Sequence, residues 1–209
     1  MQPPATLSAE IDAEKQERTA VGDWFQVIAD VDATADEAEA LGAATLAWLV
    51  DTGVVLGEAT DCVLANVGYP PGPRYATAVT EVDPRLLTLR TNGVEVITGR
   101  TVFYSMGADH VTCPHCRHVI VLADDRADSI DPWRELSAII EAWRDGDTGD
   151  YRCPTCRRVV GLNDWTWSPP WAFGYVGFKF WNWPQLTPNF LADVSTRLGH
   201  RTVHPHGKM

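Results

Sequence analysis

Four cysteines in two short pairs, Cys113-Pro114-His115-Cys116 and Cys153-Pro154-Thr155-Cys156, constrain this chain more than any other feature. Two thiolates at C-x-x-C spacing can grip one ion from a single tight turn. A second such pair completes a tetrahedron of soft sulfur ligands. Thirty-six residues lie between the pairs. Closing a loop of that length costs about 3 kcal/mol beyond its constant part, against about 10–16 kcal/mol apparent for a structural zinc site. One zinc ion therefore suffices to hold the two turns together. It cannot order the intervening chain alone, at about 1–2 kcal/mol per fixed residue.

The rival reading of such pairs is a redox dithiol or a disulfide. One structural Zn2+ is preferred because both pairs share spacing, a proline and a following β-prone run, Val119–Leu122 after the first and Val159–Leu162 after the second. His115 and His118 could replace a cysteine, but four thiols are already at hand. A four-thiolate site leaves no open position for water, and the His-x-Glu element of zinc deaminases is missing, so no catalytic residue is assigned to the metal.

Paired knuckles carried on short strands resemble the zinc ribbon, over about residues 109–165. The departure is the long insert between knuckles, in which Asp131 as cap and Pro132 start a helix. That helix would set Trp133, Leu136, Ile139, Ile140 and Trp143 on one side.

Outside this module the patterning predicts an α+β domain. Trp24–Ala29 reads as a strand. A helix capped by Thr34 and Glu37 follows, carrying Ala38, Leu41, Thr45, Trp48 and Leu49 and ending at Gly53; Val54–Leu56 reads as a second strand. The prolines of Tyr69–Tyr75 predict an extended, exposed loop. Leu86–Arg90 and Val94–Ile97 around Asn92-Gly93 read as a hairpin, with another strand over 101–105. Near the C-terminus, Phe173–Trp183 reads as a strand, Thr187-Pro188 starts a helix that ends at Gly199, and Arg201–His204 reads as a closing strand. Two β-α-β units in a mixed or antiparallel sheet resemble a ferredoxin-like sandwich carrying an inserted zinc ribbon. The implied organisation is a flexible N-terminal arm over 1–20, a main domain over 21–108 and 166–209, and the insert over 109–165.

For function the charge is the first filter. A net charge of −11 argues against a broad nucleic-acid or anionic-membrane footprint and suits a basic partner. The start Met1–Thr6 has neither the basic residues nor the apolar run of a secretory signal, and no apolar run approaches the length of a membrane span, so a cytoplasmic address is expected. Arginine far outnumbers lysine (Lys15, Lys179 and Lys208), a bias expected of a GC-rich bacterial genome. Arg117, Arg152, Arg157 and Arg158 flank the knuckles, and Trp165, Trp167 and Trp171 follow them closely. Together they form a candidate binding surface. The alternative for the tryptophans is packing of the module against the main sheet.

Three lesser constellations complete the reading. Asp30, Asp32 and Asp36 could share a hard cation, although helix N-terminal stabilisation accounts for them. His200, His204 and His206 could bind metal weakly, or lie on a frayed terminal strand. Cys62 reads as a buried thiol. The leading functional expectation is a zinc-binding, non-enzymatic protein-interaction module, an inhibitor or immunity-type partner of a basic protein being one form of it. The alternatives are a zinc-ribbon nucleic-acid regulator and an enzyme with its site near Asp30, Asp32 and the Tyr69–Tyr75 loop.

Overall fold

The computed structural model describes residues 22–64, 66–104, 106–123 and 131–209; the arm expected over 1–20 falls outside them. In chain order the elements are β1 (Trp24–Asp30), α1 (Ala38–Asp51), β2 (Val94–Phe103), β3 (His110–Thr112), β4 (Val119–Val121), α2 (Asp131–Arg144), β5 (Asp150–Arg152), β6 (Val159–Gly161), β7 (Thr166–Ser168), β8 (Ala172–Trp181), α3 (Pro188–Leu198), β9 (Thr202–Val203) and β10 (His206–Lys208). They build an α+β fold with three sheets.

The largest sheet runs β10-β1-β8-β2, with β9 also beside β1, and every pairing in it is antiparallel. Since β1 and β2 both oppose β8, they run parallel to each other across it; β8 and β9 likewise flank β1. The helices α1 and α3 make these two crossovers and lie on one face. There Ile28, Val176, Phe178 and Phe180 meet Leu49 of α1 and Phe190, Val194 and Leu198 of α3. Register explains the sorting: Phe178 stands between Ile28 and Val96, and Phe180 between Gln26 and Val94. Each such buried side chain contributes about 1.5–3 kcal/mol by removal from water. On the opposite face Phe25, Val27, Ala29, Phe103 and Trp181 form a smaller cluster. Gly174 is where β8 passes closest to the turn after β1: a β-carbon there would strike the main-chain carbonyl of Asp30.

Helix termini follow the sequence chemistry. The Thr187 hydroxyl accepts the Phe190 N–H at 3.1 Å, Pro188 opens α3, and Gly199 closes it in the left-handed region at φ 75°. At α1 the Thr34 hydroxyl and N–H both donate to the Glu37 carboxylate, but helix starts only at Ala38. The expected capping pair thus shapes the turn before the helix rather than its first residue.

Three expectations are corrected. Val54–Leu56 is no sheet strand; Val55 makes only an isolated bridge to Pro71, and the parallel partner of β1 is β2. The Tyr69–Tyr75 segment is extended yet packed, with Pro71, Gly72 and Tyr75 buried, because the Gly72 N–H reaches the Val54 carbonyl at 2.8 Å and Tyr69 bridges to Val94. No hairpin forms about Asn92-Gly93. Pro84–Thr88 is a 3-10 turn capped by Asp83, and both the Asn92 and Gly93 N–H groups donate to the Cys62 carbonyl. With β8 on one edge of β2, the other edge is met at Val94 by Tyr69, which exchanges two backbone hydrogen bonds with it, and residues 101–103 continue β2 past a bulge between Thr98 and Thr101.

The segment between β2 and β8 builds a further hydrophobic cluster, which Phe173 of β8 and Val102 of β2 also join. Strands β4-β3-β7 make a three-stranded sheet, and β5-β6 a second ribbon. Through β7, residues 166–168 belong to the same small sheet as β3 and β4. Leu136, Ile140 and Trp143 of α2 are buried against Val111, Ile120, Leu122 and Val160. A half-buried cation helps fasten this segment to the sheet, as does the exposed Arg201 between Asp32 and Asp164. Arg100, in the bulge of β2, lies 4.7 Å over the Trp143 ring and donates to the Tyr175 hydroxyl at 2.7 Å, to the Asp147 carbonyl at 3.1 Å and to the Trp143 carbonyl. A guanidinium at the C-terminal end of α2 also meets the negative end of the helix dipole.

Candidate metal centre

Each cysteine pair sits on a loop joining two antiparallel strands, β3 to β4 and β5 to β6. The two loops are built alike. In the first, the Cys113 N–H donates to the His118 carbonyl at 2.9 Å and the Arg117 N–H to the Cys113 carbonyl at 3.0 Å. In the second, Cys153 to Arg158 and Arg157 to Cys153 repeat both bonds at 2.9 and 3.0 Å. Closing such a loop needs one residue of positive φ, and it falls on Arg117 at 62° and Arg157 at 61°. Glycine adopts this conformation freely, whereas a side chain bears about 1–2 kcal/mol of strain. Sequence reading had no signal for this, since arginine is not a residue the left-handed region selects.

The loops face each other across the insert. Cys113 Sγ lies 3.8 Å from Cys156 Sγ, and Cys116 Sγ 3.7 Å from Cys153 Sγ. All four sulfurs fall within 4.8 Å of one another, and no disulfide links them. A tetrahedral ion bonded to sulfur at about 2.3 Å requires sulfur–sulfur edges of about 3.8 Å. The donor set and its spacing therefore fit one tetrahedral metal ion. Among the described residues it is the one group of three or more Cys, His, Asp or Glu side chains placed to hold a metal.

Burial and charge agree with that role. Cys113 and Cys153 are fully buried, while Cys116 and Cys156 are half-buried under the loop tips. Burial resists ionisation of Cys153, but the N–H groups of Cys156 and Thr155 and the adjacent sulfurs outweigh it and bring the thiol down to about 7. For Cys116 the balance is opposite. The His118 N–H favours the thiolate, yet burial and three neighbouring sulfurs push it up to about 11. One thiolate thus forms near neutrality while Cys116 resists further negative charge, a balance that a bound cation would offset.

The other candidates separate clearly. Arg117, Arg157 and Arg158 are exposed on the loops and Arg152 at the end of β5, and Arg158 bridges to the opposite loop through His115 Nδ1 at 3.2 Å. Exposed beside them stand Val119, Val121 and Val159, each about half accessible at 48%, 51% and 48%. Trp165, Trp167 and Trp171 are instead interior, only 3%, 7% and 6% exposed. Their indole N–H groups donate to the carbonyls of Val160, Leu162 and Met106. These tryptophans pack the insert against β8 and take no part in an outer surface.

Asp30 is wholly buried and spends its carboxylate on the N–H groups of Asp32 and Ala33 and on His200 Nδ1 at 2.9 Å. Asp32 pairs with Arg201. By register, Asp30 faces Val176, whereas Tyr69 bridges Val94 beside Phe180, so an active site joining Asp30 to the Tyr69–Tyr75 segment is not assembled. His200, His204 and His206 do not converge either: His204 turns inward, and His206 lies on β10, which is paired with β1 rather than frayed. Cys62 is buried, as expected.

No protein-family model, no curated protein and no solved structure matches this chain. Among the described residues, no helix is long and apolar enough to cross a membrane.

Proposed function

We propose that Cys113, Cys116, Cys153 and Cys156 hold one structural Zn2+, and that the chain is a cytoplasmic, non-enzymatic binding protein whose zinc module presents its interaction surface. Soft sulfur donors at tetrahedral spacing, with no open position, support zinc as a clamp rather than a catalyst. The ion would tie β3-β4 to β5-β6, while the core beneath orders the rest of the insert. Read with its order β10-β1-β8-β2 and two helical crossovers, the main sheet supports a ferredoxin-like platform for this module.

One observation carries the interaction reading: arginine occupies the left-handed corner of both knuckles, where glycine would relieve strain. Strain kept twice at exposed, equivalent positions marks a site where the side chain itself is used. Four arginines flanked by exposed valines suit a protein partner offering carboxylates around an apolar centre. An inhibitor or immunity-type contact with a basic protein would instead engage the acidic surface elsewhere and leave these arginines idle.

The test is capture from cells of origin with the wild-type chain and an Arg117→Gly, Arg157→Gly double variant. The reading expects a protein retained by wild type, released by moderate salt, and lost with the variant. Equal retention by both overturns the arginine face. Salt-sensitive retention of oligonucleotides in place of protein would favour the nucleic-acid regulator.

A further inference from the structure

The face of the main sheet opposite the helices carries a lysine that, among the described residues, forms no salt bridge. Lys179 stands on the central strand β8, between Val27 of β1 and Glu95 of β2. Its ammonium lies 4.3 Å from the Phe25 ring centre and 4.2 Å from that of Trp181. Glu95 is the adjacent carboxylate, but its oxygens are already engaged. One accepts Asn66 Nδ2 at 3.0 Å and the other Trp181 Nε1 at 3.2 Å. Among the described residues the Lys179 ammonium has neither hydrogen bond nor ion pair.

This lysine borders a cavity of about 260 Å³ walled by Phe25, Val27, Ile97, Phe103 and Tyr104, with Met209 at its rim. Gly177, next along β8 on the same face, keeps the floor low: a side chain there would collide with the Phe103 ring. Burial lowers the Lys179 pKa, and the field of Glu95 only partly opposes it, so the ammonium is short of solvent. Two rings offset part of that desolvation. A carboxylate would offset more, and its apolar body would displace water from the apolar side chains of Phe25, Val27, Ile97 and Phe103.

We infer that this cavity binds a small organic carboxylate with an aromatic or branched aliphatic body, its oxygens paired with Lys179 and its body against Phe25, Ile97 and Phe103. The volume limits the ligand to roughly ten non-hydrogen atoms, below the usual range for drug-sized sites. This site stands apart from the cysteine cluster, and its test is independent of metal.

Saturation-transfer NMR on the full chain with phenylacetate, benzoate and 3-methylbutanoate, and with phenylacetamide as neutral isostere, tests the proposal. Saturable binding of at least one carboxylate is expected, with the amide at least tenfold weaker. Lys179→Met should lose carboxylate binding at least tenfold at an unchanged melting profile, Lys179→Arg should restore part of it, and Lys208→Met should bind as wild type. Absence of saturable binding by all three acids up to millimolar concentration overturns the inference. So does equal binding of acid and amide, or undiminished binding by a folded Lys179→Met chain.

Discussion

Arg117 and Arg157 occupy matching corners of two cysteine loops, each in left-handed backbone at φ 62° and 61° and each donating its N–H to the first cysteine of its own pair. Neither corner has a sequence reason to be arginine. Replacing either by glycine removes steric strain but adds unfolded-state entropy, so a net gain of up to about 1 kcal/mol is expected per site. Thermal melts of the single and double variants measure this. Melting at or above the wild-type temperature agrees; a clear loss shows that the arginines hold the fold rather than a partner.

Arg100 should be the costliest surface-accessible residue to remove. Its guanidinium bonds to the end of α2 and to Tyr175 while stacking on Trp143. Arg100→Met keeps the aliphatic stem but abandons those acceptors, for an expected loss of about 2–3 kcal/mol. Hydrogen exchange should quicken in α2 more than in β1, because the lost bonds join insert to sheet.

His200 supplies a pH dependence. Its hydrogen bond to buried Asp30 raises its pKa above 6.5, against the opposing effect of burial, and the nearby acidic groups add to the rise. A raised folded-state value means the contribution is fully present below the unfolded pKa and fades as pH climbs through the folded one. Stability should therefore decline from pH 6 upward by this route, and His200→Asn should flatten that slope. NMR titration of the His200 ring is the direct check; a midpoint below 6.5 would contradict it.

Gly174 offers a steric test of the sheet. Alanine there drives a methyl into the Asp30 main-chain carbonyl, which the pairing of β1 with β8 and β9 holds in place. An expected cost of about 1–3 kcal/mol follows from overpacking against backbone. Denaturant melts with an unchanged slope but lower midpoint would support it.

Local chemistry was the legible part of this sequence. Thr187-Pro188 and Gly199 bound α3 as read, and the alternation in Phe173–Trp183 marked β8, because caps and period depend on neighbours only. The two cysteine pairs were legible for the same reason, and their convergence needed only loop length and donor type. Pairing partners were not. Val54-Val55 has the composition of a strand, but the sheet position it would fill belongs to β2, dozens of residues later. Asn92-Gly93 has hairpin composition, but its N–H groups answer the carbonyl of Cys62. The tryptophans after the second knuckle could not be assigned to surface or interior from order alone. Their indole N–H groups each meet a backbone carbonyl inside the insert, which decides it.

Metal content measured together with thiol accessibility on the purified chain bears most directly on this account. About one zinc per chain should be found, with Cys113, Cys116, Cys153 and Cys156 shielded from alkylation until a chelator strips the ion, whereupon amide exchange rises across β3–β6 while β1 and β8 stay protected. A chain that carries no metal, yet keeps these strands protected with its thiols free or joined as disulfides, would contradict it.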